Sequence, residues 1–185
     1  FPSVEVKIDD PDEEGIGELM AKGPSIMLGY YENEEATKSA LEPDGWFHTG
    51  DLARIDKDGF IYIAGRKKSV IVLNNGKNVF PEEIETLLNK VEGIKETFVY
   101  EKKEDDGDVK VCVEIVYDKE MIKDLYHIED EEKIKEFLWK KVKEVNKLMP
   151  KYKYVREMIV TEEPLIKTTT LKIKRHEELK KVLGK

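Results

Sequence analysis

Apolar and polar positions divide the chain into a strand-rich first third and a remainder that mixes strands with helices. Residues 4–8 alternate between apolar and polar side chains, and this period of two predicts a strand. Residues 52–55 and 60–63 form two further strand-like runs around an Asp-Lys-Asp-Gly turn, which predicts a hairpin. Residues 33–41 fit a short helix with Asn33 as its N-cap. Elements this short enclose little core, so we expect them to pack against sequence outside this chain.

The remainder predicts a small α+β domain in which a mixed sheet carries two to three helices. Pro81 suits the first position of a helix whose apolar residues recur at helical spacing. Residues 97–101 and 109–117 predict a hairpin across an Asp-Gly turn. Residues 131–149 predict a long amphipathic helix that ends before a proline. A strand over residues 155–160 then leads into a Thr-rich loop and a terminal helix.

The charge of the chain narrows the classes of function. Charged residues make up 39% of the sequence, and the formal net charge of -8 excludes a generic nucleic-acid binder, which would be basic. Residues 151–185 are locally positive, with ten Lys or Arg against five Asp or Glu, which suits either an anionic ligand or a solvated tail. No apolar run approaches the roughly 18 residues of a membrane-spanning helix.

Cysteine and histidine add little chemistry. Cys112 is the single cysteine of the chain and lies in an apolar run, which predicts a buried thiol on a strand. His48, His127 and His176 show no metal-ligand spacing with each other or with Cys112. The sequence therefore predicts no metal site.

Two motifs in the first third carry the strongest chemical signal. Asp51 ends the stretch Gly-Trp-Phe-His-Thr-Gly-Asp, and a fixed carboxylate can accept hydrogen bonds from both vicinal hydroxyls of a ribose. A turn aspartate bonded to its own backbone is the alternative. Arg66 follows in Gly-Arg-Lys-Lys, and in a chain with four arginines and twenty-eight lysines an arginine indicates a need for its planar guanidinium. A surface arginine is the alternative here.

Two later motifs also have a chemical and a structural interpretation. Gly76 ends an Asn-Asn-Gly turn before Pro-Glu-Glu-Ile-Glu, and glycine permits positive φ and the close approach of another molecule. An ordinary Asn-Gly hairpin turn fits these residues equally well. Lys172 lies in Thr-Thr-Thr-Leu-Lys-Ile-Lys-Arg, where a flexible ammonium can hold carboxylate and phosphate oxygens for reaction. A basic segment entering a terminal helix is the alternative.

Taken in order, these motifs resemble the end of the large domain and the whole small domain of adenylate-forming enzymes. This superfamily contains acyl-CoA synthetases, luciferases and the adenylation domains of peptide synthetases. The resemblance implies that residues 1–65 are the C-terminal end of the large adenylating domain, which is rich in strands and incomplete here. Residues 66–185 would be the mobile small domain, with a hinge near residues 66–69. Lys68 stands at the hinge position of the family.

The resemblance also assigns roles to the site residues. Asp51 and Arg66 would bind the ribose of the nucleotide, and Gly76 would let the pantetheine of CoA pass in the second half-reaction. Lys172 would be the catalytic residue of adenylation. Most branches of the superfamily have Gly before this lysine, whereas Leu171 stands there in this chain, as in the long-chain branch. The chain therefore most resembles long-chain fatty acid–CoA ligases.

The implied activity is ATP-dependent and AMP-forming, with an acyl-adenylate intermediate and an acyl-CoA product. The expected substrates are ATP, CoA and a fatty acid, and Mg²⁺ is expected with ATP although its ligands would lie outside this chain. We expect the chain alone to be inactive and the protein to be cytoplasmic, with peripheral membrane contact through the missing domain left open. Three alternatives stay open: adenylation of another acid, acyl transfer to a carrier protein, and a non-catalytic binding module of the same fold.

Overall fold

The computed structural model describes residues 3–184 and divides the chain into two units, Phe1–Val70 and Ile71–Lys185. Phe1 and Pro2 precede the described part, and Lys185 follows it. Within residues 3–184 the first unit contains one sheet and the second contains two, and each unit is described by itself. The predicted assignment of residues 1–65 to the end of a larger domain, with a mobile small domain after it, stays a prediction.

The first unit is built on a four-stranded antiparallel sheet in the order β1-β2-β3-β4. Its elements are β1 (Glu5–Asp9), β2 (Gly17–Lys22), α1 (Glu34–Ala40), β3 (Phe47–Ile55), β4 (Ile61–Arg66) and a closing 3₁₀ turn (Lys67–Ser69). The predicted strand at the start and the predicted hairpin are confirmed as β1 and β3–β4. The predicted cap is confirmed as well, because the side chain of Asn33 accepts a hydrogen bond from the backbone N–H of Ala36 at 2.9 Å.

Little apolar surface is buried within the described part of the first unit. Met20 and Ala53 are its fully buried apolar residues. Phe60 and Ile63, by contrast, are 66% and 59% exposed, although both are large and apolar. The sheet thus supplies a rigid frame for the residues at the β3–β4 pairing rather than a core of its own.

The second unit confirms the predicted α+β class. Its three-stranded sheet is mixed, because β8 pairs antiparallel with β7 and parallel with β9. The elements are β5 (Ile71–Val72), β6 (Asn78–Val79), α2 (Pro81–Leu88), β7 (Ile94–Lys103), β8 (Val109–Tyr117), α3 (Lys119–Tyr126), α4 (Glu131–Asn146), β9 (Glu157–Thr161) and α5 (Arg175–Leu183). Helix α3 was not among the predicted helices, and it is capped by Asp118, which accepts from the N–H of Met121.

The sheet of the second unit is covered by helices on both faces. Alternate residues of β8 point to opposite faces, as the period of a strand requires. One face packs with α2, α3 and α4 in the larger core, through Val111, Val113 and Ile115. The other face carries Cys112 and Val116 and packs with α5. Cys112 is fully buried, which confirms the predicted strand thiol.

No helix within residues 3–184 has both the length and the apolar character that crossing a membrane requires. The longest helix, α4, spans 16 residues and carries charged side chains throughout its exposed face. Its buried residues serve the core of the second unit instead.

Candidate functional site

Asp51 and Arg66 face each other across the β3–β4 pairing. Their Cα atoms are register partners, and Nη1 of Arg66 lies 2.5 Å from Oδ1 of Asp51. The register shifts between Leu52 and Ala53, and such a bulge redirects the side chains beside it. Gly50 precedes Asp51 with φ of 72°, a backbone conformation that favours glycine. The structure therefore joins two candidate residues that lie 15 positions apart, and both stay accessible, with Asp51 33% and Arg66 59% exposed.

A buried glutamate, Glu18 on β2, bonds to the residue before Asp51 and to the residue after Arg66. Its Oε1 accepts from the backbone N–H of Gly50 at 3.1 Å, and its Oε2 accepts from Nζ of Lys67 at 2.8 Å. Nδ1 of His48 lies 3.0 Å from the same Oε2. Burial acts to raise the pKa of Glu18, but the hydrogen bonds from Lys67 and His48 outweigh it, and the pKa lies below 4.5. The carboxylate thus fixes both the turn before Asp51 and the residue after Arg66.

The carboxylates of Asp9 and Glu18 and the imidazole of His48 come close enough together to suggest a cation site. Lys67 already places its ammonium on Glu18, and this hydrogen bond raises the pKa of Lys67. Mg²⁺ prefers an octahedral set of oxygen ligands and several waters, which a cluster with an imidazole and a resident ammonium does not offer. These residues do not fit Mg²⁺, and the positive charge at Glu18 is that of Lys67.

Lys68 lies exposed in the 3₁₀ turn Lys67–Ser69, two residues before the first unit ends at Val70. Arg66 before the turn and Val70 after it are extended, so the turn interrupts two extended segments. A short irregular segment between two units can absorb a change in φ and ψ without breaking a sheet. The role of Lys68 as a hinge stays a prediction.

Gly76 occupies the tip of the turn between β5 and β6. Its φ is 77°, its N–H donates to the carbonyl of Leu73 at 2.8 Å, and an added Cβ would meet no atom within 4 Å. Asn75 stabilises the turn by accepting from the N–H of Lys77 at 3.1 Å. Nδ2 of Asn74 donates to the carbonyl of Gly107 in the β7–β8 turn at 3.0 Å. The turn is held at its base, and its tip is open.

Lys172 lies exposed in a short loop before α5. The loop closes on Thr168, whose N–H donates to the carbonyl of Lys172 at 2.8 Å and whose Oγ1 accepts from the N–H of Lys172 at 3.2 Å. Leu171 has φ of 62° and is 77% exposed. The backbone thus keeps a left-handed residue before the lysine even though the side chain is leucine, which costs roughly 1–2 kcal/mol. Within residues 3–184, no hydrogen bond or ion pair joins this loop to the Gly76 turn.

Two buried carboxyls, Glu114 on β8 and Glu178 on α5, meet under this loop. Glu114 is 3% exposed and Glu178 is fully buried. Nζ of Lys181 lies 3.6 Å from Oε1 of Glu114 and 3.0 Å from Oε1 of Glu178, and 3.9 Å from Glu163. Burial and the neighbouring charge of Glu178 raise the pKa of Glu114 to about 7. Glu114 therefore titrates near neutral pH.

We expect the free energy of unfolding of the second unit to decrease as the pH rises from 5 to 8. The folded pKa of Glu114 lies above its unfolded value of 4.5, so its contribution is full below pH 4.5 and is lost as pH rises through about 7. The loss should be about 2 kcal/mol. Denaturant unfolding followed by the fluorescence of Trp139 in a Trp46→Phe background measures it. Glu114→Gln should flatten the dependence, and equal slopes with and without this substitution would contradict the assignment.

Known proteins resemble this chain in sequence over part of its length and in fold over the whole of it. The chain is 53% identical over 78 residues to the long-chain-fatty-acid–CoA ligase ACSBG2 of Gallus gallus, covering 42% of this chain and 10% of that protein. It is 42% identical over 105 residues to the 2-succinylbenzoate–CoA ligase of Listeria monocytogenes, covering 57% and 21%. The crystal structure of ATP-bound MatB from Rhodopseudomonas palustris matches the whole chain at 28% identity with a TM-score of 0.75, over 35% of that protein.

The mixed α+β fold of the second unit matches the C-terminal domain of adenylate-forming enzymes. The family model of the AMP-binding enzyme C-terminal domain matches residues 68–182, and the chain belongs to this family. The chain spans only 10% to 21% of the length of the two curated relatives, and about a third of the solved one. This confirms the resemblance on which the site residues were assigned; their individual roles stay predictions.

Glu18, Glu114 and Glu178 were not predicted from the sequence. A signal for Glu18 exists: it lies two positions before the apolar Met20 in the strand Gly-Glu-Leu-Met-Ala-Lys, so the period of two places it on the inner face. Glu114 likewise interrupts the apolar run Val111–Tyr117 of β8. Glu178 has no such signal, because a glutamate in a charged terminal helix is expected to be solvated.

Proposed function

We propose that this chain is the C-terminal part of an ATP-dependent, AMP-forming long-chain fatty acid–CoA ligase. The observation that carries the proposal is the pairing of Asp51 with Arg66 at the edge of the first sheet. An accessible carboxylate beside a planar guanidinium offers acceptors and donors in the arrangement that two vicinal hydroxyls require. The sequence identity to a long-chain-fatty-acid–CoA ligase supports a long-chain fatty acid as the substrate. Membership in the AMP-binding family supports an adenine nucleotide as the ligand.

The reaction has two balanced steps. A carboxylate oxygen of the fatty acid attacks the α-phosphorus of ATP, the bond to the bridging oxygen breaks, and pyrophosphate leaves. The thiolate of CoA then attacks the acyl carbon of the adenylate, and AMP leaves. In the first step Lys172 would hold carboxylate and phosphate oxygens together and offset their charge. Asp51 and Arg66 would hold the ribose through both steps.

The second step would depend on the small domain. Lys68 would act as the pivot, and Gly76 would lie along the path of the pantetheine arm. The open tip of the Gly76 turn supports this role, because no neighbouring atom fills the space where a side chain would project. Residues 66–185 would move as one body about this hinge, so that each half-reaction uses a different face of the same domain.

ATP, CoA and a fatty acid are the proposed substrates, and the cytoplasm, where ATP and CoA are available, is the proposed location. Bound Mg²⁺ would neutralise phosphate charge. The one cluster of possible cation ligands within residues 3–184 is held by Lys67, so the proposal places the Mg²⁺ ligands elsewhere in the protein. Membrane contact stays a prediction for the part of the protein outside this chain.

A second candidate acid has support of its own. The 2-succinylbenzoate–CoA ligase of Listeria monocytogenes matches a longer segment of this chain than the Gallus gallus ligase does. Both ligases use CoA as the acceptor, so the difference concerns only the acid.

Pyrophosphate exchange by the full-length protein tests the proposal. Exchange should depend on added acid, and saturated fatty acids of long chain should support it better than aryl, dicarboxylic or amino acids. Preference for 2-succinylbenzoate would select the second candidate. Absence of exchange with every acid, by a protein that is folded, would overturn the assignment as an adenylating enzyme.

Replacing Asp51 with alanine should weaken nucleotide binding in both half-reactions. Loss of a charged hydrogen-bond acceptor costs about 1.5–3 kcal/mol, which corresponds to a rise of roughly 10- to 150-fold in the Kd for ATP. Calorimetric titration of the full-length protein with ATP measures it. Asp58→Ala, in the exposed turn of the same hairpin, removes the same side chain without touching the pair and is the matched control. An unchanged ATP affinity in Asp51→Ala would refute the ribose assignment.

A further inference from the structure

The loop that carries Lys172 is held at its base by two carboxylates from different elements. The backbone N–H of Leu165 donates to Oε2 of Glu96 on β7 at 3.2 Å. The next N–H, that of Ile166, donates to Oε2 of Glu178 on α5 at 2.5 Å. Nζ of Lys167 donates to the second oxygen of Glu96. Three consecutive residues are therefore fixed by charge-assisted bonds, which are stronger than neutral ones.

Glu178 stands where the packing favours an apolar side chain. It is fully buried on the face of α5 that packs against the sheet, beside the apolar cluster that includes Leu165 and Cys112. Burying a carboxylate costs several kcal/mol unless hydrogen bonds and charges compensate, and a well-packed apolar residue is often more stabilising. The bond to Ile166 and the nearby ammonium of Lys181 are the compensation that the structure shows. Stability alone does not account for this glutamate.

The loop above it needs an external support. Leu171 holds a left-handed backbone conformation without the freedom of glycine, so the loop stores strain. The carbonyl of Ile166 accepts from the N–H of Lys174 at 2.8 Å, which closes the neck of the loop directly above Glu178. Inside the neck, Thr168 holds both backbone groups of Lys172. The position of the Lys172 ammonium therefore depends on where Ile166 is held.

We propose that Glu178, with Glu96 as its counterpart on β7, is a positioning residue for Lys172 in acyl-adenylate formation. The two carboxylates, one on β7 and one on α5, hold the entry of the loop. The hydrogen bonds of the neck then carry their placement to Thr168 and Lys172. The inference rests on the proposed role of Lys172 in adenylation. Neither glutamate is required to touch the substrate.

Three variants of the full-length protein test the proposal. Glu178→Leu removes the acceptor and fills the apolar site. Glu178→Gln keeps an oxygen acceptor for the Ile166 amide without the charge. Glu177→Leu makes the same change one residue earlier, on the exposed face of α5 where the carboxylate pairs only with Lys174 in the described structure, and is the matched control. The measurements are pyrophosphate exchange, thioester formation from supplied acyl-AMP, and hydrogen exchange of residues 165–174.

Glu178→Leu should lower exchange about 10- to 100-fold, because small displacements of a positioned group cost this much. It should leave thioester formation from acyl-AMP within a few-fold of the parent protein and should speed hydrogen exchange of residues 165–174. Glu178→Gln should restore both readouts to within a few-fold, and Glu177→Leu should change neither. If Glu178→Leu proves unfolded, Glu96→Gln and Glu96→Leu, which act on the neighbouring amide, repeat the comparison.

The outcomes separate this inference from the proposed function. If the parent protein shows no exchange with any acid, the proposed function fails, while hydrogen exchange still tests whether Glu178 fixes the loop. If the parent protein is active and Glu178→Leu changes neither exchange nor loop protection, the positioning role is wrong. Equal loss in both half-reactions would also overturn it, since that pattern indicates general damage to the domain.

Discussion

Replacing Lys172 with alanine should cut acyl-AMP formation by about 10²–10³ and leave thioester formation from supplied acyl-AMP within a few-fold of the parent protein. A fall of this size in the rate is expected because the substitution removes one positioned positive charge, which stabilises the negative charge that develops on the reacting oxygens. The exposed ammonium of Lys172 extends from a loop whose backbone is fixed at Thr168, so its loss should not unfold the domain. Pyrophosphate exchange and a separate acyl-AMP-to-CoA assay on the full-length protein measure the two steps.

The matched control is Lys174→Ala. Lys174 lies two residues further on, is exposed, and pairs with Glu177 at 3.0 Å on the first turn of α5. Its side chain is chemically identical to that of Lys172, but it contributes only its backbone to the loop. Lys174→Ala should therefore retain both half-reactions. Equal damage by Lys172→Ala to both half-reactions would contradict a role confined to adenylation. Equal damage by the two alanine variants would show that the positive charge of the tail matters, rather than Lys172 itself.

The fold of the second unit follows closely from local pattern. The apolar run of β8 alternates between two helix-covered faces, so every residue from Val111 to Tyr117 is buried and the strand is predicted without difficulty. The helix beginning at Pro81 and the helix beginning at Glu131 have three or more buried residues at helical spacing. Helix α3 was missed although Met121, Ile122, Leu125 and Tyr126 recur at helical spacing, because an eight-residue helix is shorter than the window over which such a period is distinctive.

The site is less predictable, because its supports are distant in sequence. Asp51 and Arg66 are found from their motifs, whereas Glu18 reaches them from a strand more than thirty residues earlier. Glu96 reaches Lys167 across 71 positions. A carboxylate on a strand or helix has no local feature that indicates which amide it will accept from. Long-range contacts of this kind are set by sheet register and helix docking, and they appear only once the fold is known.

Replacing Gly76 with leucine should have the opposite effect to Lys172→Ala. We expect pyrophosphate exchange to continue and acyl-CoA production to fall about tenfold or more, because a bulky side chain would stand in the proposed path of pantetheine. The structure leaves room for the side chain, so the unfolding cost should be limited to the positive φ of 77°, about 1–2 kcal/mol. Mass spectrometry of the full-length protein with acid, ATP and CoA should detect acyl-AMP retained on the variant.

Gly59→Leu is the control that distinguishes a blocked pantetheine path from backbone strain as the cause of lost acyl-CoA production. Gly59 lies at the tip of the β3–β4 turn with φ of 85°, and an added Cβ there also meets no atom within 4 Å. The substitution therefore imposes the same conformational cost in another hairpin turn, and both half-reactions should survive it. Gly76→Asn, which tolerates the left-handed conformation, should retain more thioester formation than Gly76→Leu because its side chain is smaller. Loss of pyrophosphate exchange in Gly76→Leu, with thioester formation from acyl-AMP preserved, would place this turn in adenylation and refute its role in the second step.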